Sequence, residues 1–128
     1  MSKHTIEKII SNINNVVECY EKLHTYEKNG CTYDDIKKDL KTLHRSTIQL
    51  ITFMANLKKE DAKIPGLSTL QNIFKITYLP VLKIHLLYLD RIKERDSDLL
   101  KIQARLAMTY LNVDDCVDNL RIIRASLK

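Results

Sequence analysis

Helix-breaking residues are scarce in this chain, since its 128 residues include only two glycines and two prolines. A β-sandwich or β-barrel needs turn residues at short intervals, and glycine and proline are the strongest of these. The long stretches between the breakers instead keep apolar residues at helical spacing. The sequence therefore predicts an all-α fold, a compact bundle of five to six helices built from antiparallel helical hairpins, with residues 1–128 forming a single helical domain.

The first two predicted helices have the clearest boundaries. Residues 5–28 carry an unbroken apolar stripe, and Asn29-Gly30 then supplies the left-handed residue that commonly ends a helix. Thr32 has the position of an N-cap, followed by two aspartates in the first turn of a helix predicted over residues 33–58. The short connection between these helices predicts that they form an antiparallel hairpin.

The middle of the chain contains both prolines. A third helix is predicted over residues 67–78, with Ser68 as its cap. Pro80 lacks an amide hydrogen and disfavours helical torsions in the preceding residue, so we expect a break near Leu79 and a fourth helix over residues 80–95. A kinked helix that continues through the proline is the alternative.

The fourth predicted helix is apolar on nearly every side. This pattern is typical of a helix that is buried all round, so we expect it at the centre of the bundle. The alternative is that one of its faces is open to a helix of another protein. A fifth helix should follow the cap signal at residues 96–98 and end near residue 111, and a sixth should begin with Asp114 as its cap.

The charge balance is mildly basic, with 21 lysines and arginines against 16 acidic residues and a net charge of +5. This permits a nucleic-acid partner without requiring one. Basic residues recur at one-turn spacing on the second and last helices, which suits a row of phosphates. The candidate nucleic-acid contacts are Lys37, Lys41, Arg45, Arg121 and Arg124.

The cysteines and the hydropathy of the chain indicate the cellular compartment of the protein and whether it spans a membrane. Three cysteines form no CxxC pair and leave an odd thiol, which predicts a reduced, intracellular protein of the cytoplasm or nucleus. The longest apolar run, residues 78–89, is interrupted by Pro80, Lys83 and His85. Because a membrane-spanning helix needs roughly 20 apolar residues, no membrane span is predicted.

The motifs of common active sites are missing from the sequence. There is no HExxH, no GxGxxG and no GxxxxGK[ST], and adjacent aspartates on a helix point about 100° apart. His85 lies within an apolar helix, where a neutral imidazole bonded to a carbonyl or hydroxyl is the usual state and a pH switch is the alternative. We therefore predict a non-enzymatic protein with no cofactor, no metal site and no small-molecule substrate.

Three short segments are similar to parts of different helical families. Residues 106–127, LAMTYLNVDDCVDNLRIIRASL, resemble a tetratricopeptide hairpin. LKTLHRSTIQLITFM followed by IPGLSTLQNIF resembles the N-terminal helical domain of transcription elongation factors and its integrase-binding relatives, and TYDDIKKDLKTLH resembles the double-stranded-RNA-binding silencing suppressors of insect viruses. These resemblances imply stacked helical hairpins that bind peptides, proteins or RNA without catalysis, and no residue role is carried over from them.

The combination of many large aliphatic residues with few chemical motifs predicts a helical interaction module. It would bind another protein, or itself, through an apolar helical surface. The candidate contacts are apolar residues outside the main stripes or next to the expected break: Ile48, Phe53, Phe74, Ile76 and Tyr78. The alternative is a dimeric binder of double-stranded RNA or DNA that uses the basic stripes.

Overall fold

The computed structural model describes residues 3–91, 97–111 and 113–126, and within these ranges the chain is helical throughout its regular structure, with no strand. The predicted all-α class is therefore confirmed. The elements are α1 Lys3–Asn29, α2 Tyr33–Ala55, the single turn α3 Lys59–Ala62, α4 Leu67–Asn72, a π-helical segment Ile73–Tyr78, α5 Leu79–Arg91, α6 Ser97–Leu111 and α7 Val113–Ser126.

The connection between α1 and α2 has the expected chemistry. Gly30 has a φ of 83°, and its amide donates to the carbonyl of Tyr26 at 2.8 Å, which ends α1. The side chain of Thr32 accepts a hydrogen bond from the amide of Asp35 at 3.1 Å, and this bond confirms Thr32 as the N-cap of α2. Across the two helices, the hydroxyl of Ser46 donates to the side-chain carbonyl of Asn12 at 2.6 Å, and both side chains are buried.

Residues 67–91 form one continuous helical stretch, so the predicted break near Leu79 is wrong. Ile73, the first residue of the π segment, and Leu79, the residue after it, both have right-handed helical torsions. The amide of Leu79 bonds to the carbonyl of Phe74, five residues earlier, as a π turn requires. The amide that Pro80 lacks therefore falls where the hydrogen-bond register is already changing, and the helix continues into α5.

The beginnings of two later helices also differ from prediction. α4 begins at Leu67, preceded by Gly66 with a φ of 89°, so Ser68 is not its cap. α7 begins at Val113, which places Asp114 within the first turn instead of at the cap. The acidic cap signal before α6 lies partly outside the described residues, whereas the end of α6 at Leu111 agrees with prediction.

Gly66 also marks a close approach between segments distant in sequence. A Cβ atom at this position would lie 3.0 Å from the backbone carbonyl of Asn119 and 3.1 Å from the side chain of Ile122. The start of α4 thus packs directly on α7. A larger residue at this position would be strained both by its positive φ and by this contact.

The core is formed by aliphatic side chains from every long helix. α1 packs on α2, α6 and α7, while α2 packs on α5 and on the π segment. The largest fully buried side chains are Tyr78, Phe74, Ile9, Ile13, Leu23, Ile36, Leu40, Leu43, Leu50, Leu70, Leu82 and Leu89. α5 contributes Leu82, His85 and Leu89 to the interior but leaves other apolar residues outside, so the expectation that it is buried on all sides is wrong.

Candidate functional site: an apolar groove between α5 and α6

The apolar groove is a cleft of about 460 Å³ between α5 and α6. α5 contributes side chains at spacings of three and four residues, and α6 does the same, because those spacings place residues on one side of a helix. Six of the lining residues are apolar or aromatic, and the other two are polar. The lining residues are Val81, Ile84, His85, Tyr88, Ile102, Gln103, Leu106 and Tyr110.

The floor of the groove is a buried polar pair. Nδ1 of His85 lies 3.2 Å from Oε1 of Gln103, so the imidazole of α5 and the amide of α6 bond to each other. Tyr110 stands beside them, with its ring centroid 6.0 Å from that of His85 and the two planes tilted by 51°. Nδ1 of His85 is thus bonded to the side-chain carbonyl of an amide, in agreement with the sequence expectation of a bonded imidazole.

The walls of the groove expose an unusual number of large apolar side chains. On α5, Ile84 is 65% exposed and Tyr88 is 47% exposed, and Leu87, one turn from Ile84 on the outer side of the helix, is 61% exposed. On α6 the exposed large residues are Leu99, Ile102, Leu106 and Tyr110, each between 40% and 46% exposed. Single exposed apolar residues are normal on protein surfaces, whereas a contiguous set of this size marks an interaction surface.

The five residues predicted as protein contacts do not form one surface. Phe74 and Tyr78 are buried in the core at 0% and 1% exposure, so their prediction as surface contacts is wrong. They were expected to splay outward at a chain turn, but the continuous helix places them on its inner side, where their rings meet edge to face at 4.8 Å. Ile48 and Ile76 are exposed, and half-buried Phe53 lies under the ammonium of Lys8, but none of these three residues lines the groove.

The sequence analysis did not predict the groove, because the apolar pattern of α5 indicated a helix at the centre of the fold. One feature of the sequence does indicate it. On α6, Leu99, Leu106 and Tyr110 share one side of the helix, while Ala104 and Ala107 mark another. The structure buries the side with the alanines, which also carries Leu100 and Leu111, and leaves the second apolar side exposed. A second apolar side on two consecutive helices is typical of a surface that receives a partner.

The basic residues predicted for nucleic acid are divided between distant elements. Lys41 and Arg45 line a shallow cleft of about 390 Å³ along α2. Lys37 lines the same cleft, but its ammonium lies 2.6 Å from the carboxylate of Asp90 and the hydrogen bonds it makes raise its pKa. On α7, Arg121 lies 3.7 Å from Asp118, and Arg124 is exposed. α7 packs mainly on α1 and α4, whereas α2 packs mainly on α1, α5 and the π segment, so the two stripes lie on helices with different main neighbours.

Several buried titratable groups lie away from the groove. The thiols of Cys19 and Cys116 are buried, and burial is the main cause that raises their pKa values to about 12 and about 11. The thiol of Cys116 lies 2.9 Å from the hydroxyl of Tyr78, and burial also raises the pKa of that hydroxyl. Burial and then the ammonium of Lys83 lower the pKa of His44, whose Nε2 is enclosed without a hydrogen-bond partner in the described part of the chain.

No cluster of three or more histidine, cysteine, aspartate or glutamate side chains suited to a metal ion is found among residues 3–91, 97–111 and 113–126. Over the same ranges, none of the helices combines the length and the hydropathy needed to span a bilayer.

Comparison with known proteins returns no relatives from which a role could be transferred. No family model matches the chain, and no curated protein or solved structure is significantly similar to it. The function must therefore be argued from the groove and its surroundings.

Proposed function

We propose that this protein is a non-enzymatic helical interaction module that binds another protein, or a second copy of itself, through the apolar groove between α5 and α6. The observation that carries the proposal is the groove itself, a cleft of about 460 Å³ flanked by seven large apolar side chains that are 40–65% exposed. In this proposal the helices act as one bundle of antiparallel hairpins whose core holds α5 and α6 side by side.

The contacts between α1 and α2 support this arrangement. The side chain of Asn12 bonds to Ser46, and Lys8 lies over the ring of Phe53, so an earlier residue of α1 meets a later residue of α2. Near the connection, Tyr26, late in α1, donates a hydrogen bond to the carboxylate of Asp39, early in α2, so the order of residues is again opposed. Opposed residue order is what a helical hairpin produces.

A groove between two helices is suited to a third helix. Neighbouring helices pack with their axes about 8–10 Å apart, and the depression between them accepts the side-chain ridge of another helix. Fully burying one large aliphatic side chain contributes about 1.5–3 kcal/mol, so covering several half-exposed ones supplies several kcal/mol toward the cost of association. Tyr88 and Tyr110 stand at the groove, and tyrosine is among the residues most often found at the energetic centre of interfaces.

The function can be tested by comparing two isoleucines. Ile84→Glu places a charge in the groove, whereas Ile48→Glu places the same charge on an exposed part of α2. We expect native-extract pull-downs with the wild-type protein and with Ile48→Glu to recover the same partner, identified by mass spectrometry, and Ile84→Glu to lose it. Equal helicity and melting temperature of the two variants are required for the comparison. Retention of the partner by Ile84→Glu would contradict the proposal.

The proposal includes a reducing, intracellular compartment, either cytoplasm or nucleus. Cys19, Cys31 and Cys116 are all free, and two of them are buried where no second thiol is bonded to them. Free thiols are typical of proteins kept in a reducing environment.

A second candidate function, binding of double-stranded nucleic acid, draws on the cleft lined by Lys38, Lys41 and Arg45 on α2. Asp34 lines the same cleft, and an acidic group weakens phosphate binding there. A gel shift at two salt concentrations tests this function directly, since binding to phosphates weakens steeply with added salt. We expect no shift at moderate salt. A salt-sensitive shift that Lys41→Glu removes would favour this second function over the first.

A further inference from the structure

We infer that the occupant of the groove is a second copy of this chain, so that the face made by α5 and α6 is the interface of a two-fold symmetric homodimer. The inference rests on the proposed function, because it requires the groove to be a binding surface, and it adds the identity of the partner. Three observations support it: the shape of the face, its area, and the chemistry of its floor.

The shape of the face is self-complementary. A two-fold interface brings the same patch of both subunits together, so each copy must present both a ridge and a groove. α5 presents an apolar ridge in Ile84 and Leu87, the two most exposed large residues of that helix. The groove lies directly beside this ridge, between α5 and α6. α5 of each copy can therefore lie in the groove of the other, with the two α5 helices in contact across the symmetry axis.

The area of the face matches what a dimer requires. Seven side chains that are 40–65% exposed present roughly 600 Å² of mostly apolar surface, when each whole side chain is taken as about 150–200 Å². The largest apolar patch on a typical monomer is about 300–600 Å², so this face lies at the upper limit for a surface left open. A standard interface buries about 800 Å² per partner, of which about 65% is apolar in homodimers, or roughly 500 Å².

The floor of the groove favours an apolar occupant such as α5. His85 and Gln103 bond to each other across the floor and are only 8% and 6% exposed, so little polar surface remains for a partner helix to cover. On the same side of α5, Lys83 and Arg91 lie one turn before and one turn after Leu87, so the apolar ridge has a basic residue at each end.

The first test is the molar mass of the intact chain over a range of concentrations, measured by sedimentation equilibrium from about 1 µM to about 1 mM. We expect a reversible monomer–dimer equilibrium for the wild type. Ile102→Glu and Ile48→Glu form a matched pair, because the two isoleucines are 41% and 42% exposed and only Ile102 lines the groove. Ile102→Glu should raise the dimer dissociation constant at least about a hundredfold, since each dimer would bury two charges, whereas Ile48→Glu should leave it unchanged.

The second test locates the symmetry axis and does not depend on the stability of a groove variant. Leu87→Cys, in a background where the partly exposed Cys31 is replaced by serine, should form an intermolecular disulfide under mild oxidation, because the two α5 helices face each other. Ile48→Cys in the same background should not. Far-UV circular dichroism and melting curves check that each variant is folded.

The outcomes separate this inference from the proposed function. A wild type that stays monomeric at every concentration overturns the homodimer, and the pull-down with Ile84→Glu still decides whether the groove binds a different protein. If Ile102→Glu leaves the dimer intact, or if Ile48→Glu dissociates it, the interface lies elsewhere and the inference is also overturned. Loss of the dimer with Ile102→Glu, together with the Leu87→Cys cross-link, supports it.

Discussion

Replacing Phe74 with alanine should destabilise the protein strongly, while the same change at Ile76, two residues later in the same π segment, should have little effect. Phe74 is 0% exposed, and its ring packs edge to face on Tyr78 at 4.8 Å, whereas Ile76 is 66% exposed. Removing a buried phenylalanine side chain costs about 3–5 kcal/mol, which includes the cavity left behind. We expect about 4 kcal/mol, because the π segment is held between α2, α5 and α6 and cannot easily collapse onto the space.

The measurement is urea denaturation followed by far-UV circular dichroism. A loss of about 4 kcal/mol should move the midpoint down by roughly 1.3–4 M, because the free energy of unfolding falls by about 1–3 kcal/mol per molar urea in small proteins. Ile76→Ala should change the free energy of unfolding by no more than about 0.5 kcal/mol, as is usual for exposed positions. A cost below about 1 kcal/mol for Phe74→Ala, or similar costs for the two variants, would refute the assignment of Phe74 to the core.

Two further predictions follow from the buried titratable groups. The pKa of His44 is lowered in the folded state. As the pH falls below about 6.5, this histidine is therefore protonated more readily in the unfolded protein than in the folded one. The free energy of unfolding should therefore fall between neutral and mildly acidic pH, and His44→Gln should flatten this decline; an equally steep decline in His44→Gln would contradict the prediction. Burial is the main cause that raises the pKa of all three thiols, but Cys31 is partly exposed, so it should react with a thiol reagent in the native protein at pH 8. Cys19 and Cys116, with pKa values raised to about 12 and about 11, should react only on unfolding, and equal rates for all three would contradict their burial.

The helices of the first half could be predicted because their signals are local. The apolar stripe of α1, the left-handed Gly30 and the capping threonine Thr32 each act within a few residues, and the structure contains all three. The same holds for the end of α6 at Leu111. Local propensity and spacing are sufficient where they agree with the packing of the whole chain.

The continuation through Pro80 could not be predicted in this way. Proline normally ends or kinks a helix because it removes one hydrogen bond and its ring meets the carbonyl four residues earlier. The π turn before Pro80 alters that register, and it is stabilised by burial of Phe74 and Tyr78 against other helices. Sequence spacing does not reveal such a turn, because it depends on contacts with residues far along the chain. The error at Pro80 then placed two core residues in the predicted binding site.

The groove itself depends on the relative position of two helices. The sequence shows that α5 and α6 each have a second apolar side, but not that these sides adjoin. The contacts of α5 with α2 decide which side of α5 is covered. The contacts of α6 with α1 decide which side of α6 is covered. Both depend on tertiary contacts. The sequence could therefore suggest that one face is open to a partner, but it could not show which face that is.

The extensive packing of α6 on α1 has a consequence for synthesis on the ribosome. α1 and α2 emerge before α6 and can pair at once, but the face of α1 that α6 covers must wait until α6 itself has been made. Contacts between such distant segments form slowly, because a long loop has to close first. The nascent chain should therefore hold an exposed aliphatic strip until α6 has emerged, which makes it a ready client for chaperones that bind unfolded polypeptides.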